Sequence, residues 1–376
     1  MMQDTAYKKP AHPVSWSRFF DEHAPTQVLL MARPKFYEIP PPDADGKHAN
    51  RFAIEGYAQF KADPASFAAK ANAQWHSLCF DTFSDRLGLP LQIMPARKGE
   101  PDLVFTADAS ISMNDGQHGP VTIYSHFQNK QRQNETHVHQ AFMQQAMPER
   151  FGKATPASSY NKLEGTGDNV YDPYRDLYWC GYIASHNEVH AMHGRSNKDS
   201  HALLTQMTGI ETVSLAVDNG FFHIDTSLGF LSRGHVVAYP GGMTPEAYET
   251  FKHNAFTRYG LDPKEYLIEV DQEDADRYAC NLRCVGNTAV MSNCSKALQD
   301  KLRSKGYEVI THEMSAFIAS GGSIHCVTNN LNETRIPGGY HQLVMQGLIQ
   351  PDMQLPAASP TRSAASRTPM SVMRQE

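Results

Sequence analysis

The chain has 376 residues, which suits one large domain or two or three smaller units. Hydrophobic residues supply 40% and charged residues 20%, and 34 Lys and Arg against 40 Asp and Glu leave a net charge of −6. That balance excludes a nucleic-acid binder relying on bulk positive charge. The apolar runs also fall far short of the roughly 20 residues of a membrane helix.

The opening stretch, MMQDTAYKKPAHPVSW, lacks the apolar core of a signal peptide, so a cytoplasmic protein with no membrane contact is expected. Residues 1–25 read as an extended or loosely docked arm. A single body over 26–350 then alternates β-rich and helical runs. Strands are expected at Val28–Met31, Leu91–Met94, Val104–Thr106, Val121–Tyr124, Val213–Val217, Val236–Tyr239, Tyr266–Val270, Thr288–Met291, Glu308–Ile310 and Ile324–Thr328, where β-branched or apolar residues are bounded by turn formers. Helices are expected at Ala53–His76 with a break at Pro64, Thr136–Ala146, Lys198–Thr208, Pro245–Tyr259, Glu273–Asn281 and Ser295–Lys305. Thr244 before Pro245 is an N-cap followed by a first-turn proline, and Asp271 with Asp274 marks another helix start. The alternation predicts an α/β fold, with spacing that suits a strand-helix-strand pseudo-repeat. From about Pro351 the chain is aperiodic and rich in Pro, Ser, Ala and Arg, and reads as a disordered tail over 351–376.

The six cysteines form no CxxC pair and are too sparse for a disulfide scaffold. Most read as small buried hydrophobes, with Cys280 and Cys284 packed on one helical face. Cys326 differs, because it follows Gly321 and Gly322, which let a backbone or ligand approach closely. Taken alone it reads as a buried strand cysteine, or as a nucleophile if its thiol pKa is lowered.

Three further stretches place charged side chains beside small residues or strand ends. His223 and Asp225 are two apart on an expected strand and would share a face. Such a pair can move protons and hold a cation, or merely stabilise a turn. Asp108 ends the DLVFTAD stretch, either in a cleft or as a cap. Glu164 precedes Gly165-Thr166-Gly167, either as a buried acid/base or on an exposed turn. This glycine pattern lacks the third glycine of a dinucleotide fingerprint. Together the parts are one thiol, one imidazole and three carboxylates. Two carboxylates can clamp a planar guanidinium with paired hydrogen bonds, and a thiolate can then attack its central carbon.

The stretches DLVFTADAS (102–110), FQNKQRQNETHVHQAF (127–142), EGTGD (164–168), FHIDTSLGFL (222–231), YLIEVDQEDADRYACN (266–281) and SGGSIHCVT (320–328) resemble, in order, the guanidino-group modifying superfamily. This superfamily contains arginine deiminases, arginine dihydrolases, dimethylarginine dimethylaminohydrolases and amidinotransferases. The resemblance implies a five-bladed, pseudo-symmetric α/β propeller, the pentein fold. It implies Cys326 as nucleophile, His223 and Glu164 as proton carriers, and Asp108 and Asp225 as guanidinium ligands. It also implies a small cationic guanidino substrate with no metal and no organic cofactor, and leaves the oligomeric state open.

Arg132 and Arg195 suit the carboxylate of a free amino acid; the resemblance favours Arg132, and Arg195 has a surface reading beside it. The dihydrolase branch tends to carry Asn where this chain has Asp108, and its N-terminal Asn-containing loop is not evident around Pro40–Asp43. The expectation is a cysteine hydrolase giving a citrulline-type product. The alternatives are an amidinotransferase, a dihydrolase giving ornithine, and a binding protein that keeps the fold. His186, His190 and His193 form an H-x3-H-x2-H pattern that zinc could use, but it looks inserted relative to the family and reads as a solvated loop. His137 and His139 read as surface or cleft-edge histidines.

Overall fold

The computed structural model describes residues 7–43, 50–115, 119–148, 162–183, 195–218 and 220–352, and the backbone of 154–156. It is an α/β protein. Five of its sheets share one pattern, in which a first strand pairs antiparallel with a second and the second pairs parallel with a third. In the first sheet these are Asn329–Asn330, Leu29–Ala32 and Leu91–Met94. In the second they are Ser110–Asn114, Pro120–Tyr124 and Ala154–Pro156, with Glu333–Thr334 added at the edge. The third has Asn169–Asp172, Leu177–Ile183 and Glu211–Val217. The fourth has Leu228–Phe230, Val236–Ala238 and Leu267–Glu269, and the fifth has Arg283–Val285, Thr288–Ser292 and Glu308–His312.

A parallel pair needs a crossover, and each second strand reaches its third through helix. The crossovers include Pro64–His76, Glu135–Ala146, Lys198–Thr208, Pro245–Ala255 and Lys296–Ser304. Local chemistry sets their starts. Asp63 caps the helix that begins at Pro64 by accepting from Ser66 N, and so divides the expected Ala53–His76 helix in two. Thr244 and Ser295 cap their helices in the same way.

Three expected elements are replaced. Val104–Thr106 is not a strand but the junction of two 3-10 turns, Pro101–Val104 and Thr106–Ala109. Ile324–Thr328 is a turn, and the strand begins only at Asn329. The expected helix Glu273–Asn281 stops at Asp276, so Cys280 lies in a turn and Cys284 in a strand rather than on one helical face.

The N-terminal arm is also more ordered than expected. Val14–Ser15 pairs in parallel with Ile349–Gln350, and Trp16–Glu22 is a helix. Trp16 and Phe19 are buried against Tyr340 and Leu343 of the helix Gly339–Met345. Their apolar area outweighs the cost of ordering a short segment. At the other end Asp352 pairs with Arg233 at 2.7 Å and accepts from Ser17 N at 2.9 Å. Phe19 is fully buried, so Phe19→Ala should destabilise the fold by about 3–5 kcal/mol in urea denaturation. A loosely docked arm would show no loss. No described helix is long and apolar enough to cross a membrane.

Candidate active site

In the second to fifth sheets and again in the first, a short turn precedes the first strand. These five turns converge. They carry Asp108, Glu164 to Asp168, His223 with Asp225, Asn281, and Cys326. Hydrogen bonds join them in order. Ala107 N donates to Cys326 O at 3.1 Å, Thr166 Oγ1 to Ala107 O at 3.2 Å, and Asn281 Nδ2 to Asp225 O at 3.3 Å. His223 Nε2 lies 2.9 Å from Glu164 Oε2, and Cys326 N donates to Asn281 Oδ1 at 3.2 Å. His223 and Asp225 therefore act from a turn, Ile224–Thr226 being a 3-10 segment, and not from the expected strand.

Glycine is needed at two of these positions. Gly165 has φ +49°, and a Cβ there would stand 2.1 Å from Ala107 O. A Cβ on Gly167 would stand 2.4 Å from Asp108 Oδ1 and 2.9 Å from His223 Nδ1. The glycines thus let the third turn press directly on the carboxylate and the imidazole.

Cys326 is 3% exposed. Its Sγ donates to Asp225 Oδ2 at 3.2 Å, and Asn281 Nδ2 lies 3.1 Å from the sulfur. Burial pushes the thiol pKa well up, and the Asp225 and Asp108 carboxylates push it further. A cation placed between those carboxylates and the sulfur would remove that penalty.

His223 is held the opposite way. Burial alone would lower its pKa, but Asp108, Asp168 and Glu164 outweigh this and raise it to about 9. Glu164 is fully buried, and Arg195 and the His223 hydrogen bond overcome burial to bring it down to about 2. The pair is therefore an imidazolium and a carboxylate at neutral pH. Burial raises Asp108 against the pull of His223 and Arg132. It lifts Asp168, which accepts from Ser196 N at 2.9 Å, to about 7.

Arg132 and Arg195 are both buried and both line a cavity of about 170 Å³ together with Asp102, Asp108, His223 and Cys326. Arg132 Nη1 bonds Asp108 Oδ2 at 2.6 Å and Arg132 Nη2 bonds Glu135 Oε2 at 2.9 Å, with the guanidinium 4.4 Å from the Phe127 ring. Arg195 stands 3.7 Å from Glu164 and 4.8 Å from the Phe222 ring, so the surface reading of this arginine does not hold. His139 is also buried, and burial lowers it to about 3, while His137 is exposed. The stretch with His186, His190 and His193 lies outside the described residues. Among the described residues no three His, Cys, Asp or Glu side chains form a metal-holding group.

All seven candidate side chains thus meet around one cavity or directly behind it. Asn281, Asp102, Asp168 and His325 were missed. Asn281 and Asp168 occupy turns equivalent to those of Asp225 and Asp108, so the pseudo-repeat was the clue to them. Asp225 Oδ1 is buried with no hydrogen-bond partner among the described residues, while Asp108 Oδ1 and His223 Nδ1, buried too, face each other at 3.5 Å. Buried acceptors on carboxylates call for a cationic donor.

Residues 66–333 match the family described as N,N dimethylarginine dimethylhydrolase, eukaryotic. The chain belongs to the guanidino-group modifying superfamily. Its relatives within this superfamily include hydrolases of amidine C–N bonds. The bifunctional arginine dihydrolase/ornithine cyclodeaminase ArgZ of Synechocystis is 30% identical over 246 residues, 65% of this chain and 31% of that protein. The chain therefore spans about a third of the length of ArgZ and of the similar Nostoc protein AgrE, at 31% of each. The N(G),N(G)-dimethylarginine dimethylaminohydrolase of Mycobacterium tuberculosis is 26% identical over 69% of this chain and 74% of its own. The structure of the N-terminal domain of ArgZ, an Asn-to-Ser variant covalently bound to a reaction intermediate, superposes with TM-score 0.66 at 25% identity, covering 83% of this chain and all of that domain. This likeness places the chain in the α/β fold of the superfamily.

Proposed function

We propose that the chain is a cysteine-dependent hydrolase of the guanidinium of arginine or a close derivative. The observation that carries this is one cavity lined by the Cys326 thiol, His223 and Asp108, with Glu164 bonded to His223 and Asp225, whose Oδ1 has no hydrogen-bond partner among the described residues, bonded to the thiol directly behind them. Relatives solved with arginine or a covalent intermediate support it. The five like sheets and the linked turns support a five-bladed propeller with this site at its centre.

Asp108 and Asp225 hold the guanidinium, whose positive charge offsets the two carboxylates and lowers the thiol pKa. The thiol releases its proton to solvent as the cation docks, and the thiolate attacks the guanidino carbon. His223 gives its proton to the leaving nitrogen, leaving a thiouronium on Cys326. Neutral His223, oriented by Glu164, then takes a proton from the attacking water, and the ureido product departs. No cofactor enters these steps. The amino-acid end needs groups of both signs. Arg195 and Arg132 face the carboxylate, Arg132 sharing its bond to Asp108, and the half-buried Asp102 beside them suits the ammonium.

Asp108 also bears on how far hydrolysis proceeds. A carboxylate grips a positive guanidinium by charge, and loses that grip on a neutral ureido product. The expected outcome is one hydrolysis, with one ammonia or amine released per substrate and a citrulline-type product. The similarity to arginine dihydrolases favours a second reading, two hydrolyses ending in ornithine. Quantifying ammonia, citrulline and ornithine from L-arginine in one sample decides between them. A ratio of two with ornithine supports the second reading, and release only with an acceptor amine would indicate amidino transfer. Binding without any release would leave a binding protein.

A further inference from the structure

His325 is next to the nucleophile in sequence but faces the other way. Cys326 lines the cavity described above, whereas His325 lines a second cavity of about 120 Å³. Ser112, Tyr171, Leu228 and Arg283, from the first strands of four sheets, line this second cavity with Phe20 and Tyr340 of the terminal helices.

His325 is 7% exposed, and its Nδ1 lies 2.9 Å from Asp225 Oδ2. The same oxygen accepts from the Cys326 thiol at 3.2 Å. The other oxygen, Oδ1, is buried and has no hydrogen-bond partner among the described residues. A carboxylate oxygen only accepts, so Nδ1 carries the hydrogen and donates it. Two donors on one oxygen fix the rotation of the carboxylate. Arg283, held by Thr328 O at 2.8 Å, stands near the imidazole, and burial together with this guanidinium lowers the His325 pKa. His325 is therefore a neutral donor near pH 7.

We propose that His325 is a positioning residue, whose Nδ1–H holds the Asp225 carboxylate with Oδ2 on the Cys326 thiol and Oδ1 open to an N–H of the substrate guanidinium. This rests on the hydrolase reading of the site and deepens it. The charged and titratable groups around the trio are Arg283 and Asp108 near His325, and Asp108 and Tyr278 near Cys326. Without the imidazole N–H, Oδ2 belongs to the thiol alone and holds its proton more tightly. The carboxylate also becomes free to rotate, and presents Oδ1 to the guanidinium less often.

The test compares His325→Leu, which removes the donor, with His325→Asn, which keeps one near the Nδ1 position, in the full chain. Iodoacetamide alkylation of Cys326 at pH 9 is followed by peptide mass spectrometry, and kcat and KM are measured with L-arginine. The Leu variant should alkylate at least about threefold more slowly, and its KM should rise roughly 10- to 100-fold with a smaller change in kcat. The Asn variant should stay within about twofold of wild type, since it restores the bond. Unchanged alkylation in the Leu variant, or an Asn variant that behaves like Leu, would overturn the proposal. If the Leu variant does not fold, His325→Gln replaces it, because its donor sits one bond too far out. Slower alkylation of Gln than of Asn is then expected, and equal rates would overturn the proposal. Alkylation requires no substrate. A wild-type chain inert toward L-arginine would therefore count against the hydrolase reading, and the alkylation arm would still decide the role of His325.

Discussion

Cys326→Ser should abolish turnover of the guanidino substrate, with a loss on the order of 10⁴-fold or more, while the chain folds and still binds substrate. The hydroxyl is close in size to the thiol and keeps a donor for Asp225 Oδ2, now 3.2 Å from the sulfur. It cannot supply an anion at accessible pH, even with a cation docked beside it. The other described cysteines make the contrast sharp. Cys79 and Cys280 are fully buried among apolar side chains, and neither lines the cavity that Cys326 lines. Changing either to Ala should cost packing stability and leave the chemistry intact. Single-turnover assays and calorimetric binding of L-arginine to the Ser variant check both halves. Substantial steady-state turnover by Cys326→Ser would remove the covalent mechanism.

The second large effect is expected at His223. His223→Asn should lower kcat by about 10²- to 10⁴-fold, the usual contribution of a positioned acid and base. The wild-type profile should also carry the signature of its environment. In the proposed mechanism His223 donates its proton in the first half of the reaction, and a pKa of about 9 keeps it charged through neutral pH. Activity limited by that donation should persist at pH 7 to 8 and decline as pH rises through about 9. Stability follows the same sign. The folded-state pKa is raised above the ordinary 6.5, so the contribution of His223 is full below about 6.5 and is lost as pH rises through 9. Glu164 is depressed to about 2 from the ordinary 4.5, so its contribution is present above 4.5 and is lost as pH falls toward 2. Thermal melts of wild type and His223→Asn across this range should converge at high pH. Melting curves separated by a constant interval at every pH would refute the charge assignment of His223.

The residue types of the candidate site and the α/β class of the fold were legible in the sequence alone. Glycine before a cysteine, paired acid and imidazole residues, and capped helices between apolar runs are local features. Local features survive without coordinates because a turn needs its glycine and a helix start needs its cap. Thus Thr244 and Ser295 cap the expected helices, and Lys198–Thr208 has the expected ends.

The tertiary structure decided what those residues touch. Short first strands such as Leu228–Phe230 and Arg283–Val285 carry too few residues for a period-two pattern, so in sequence the turns before them read as strand or helix. Only their convergence shows that His223 and Asp225 reach the site from a turn, and that Asn281 bonds Cys326. Burial likewise could not be read from the charged residues Arg195 and Glu164. It follows from an enclosure built by five separate parts of the chain, in which each charge is tolerated because another, distant in sequence, stands beside it. The same non-local packing ordered Trp16 and Phe19 against the C-terminal helix. Their apolar surface has no partner within its own segment, and finds one only where residues 14–22 meet residues 339–350.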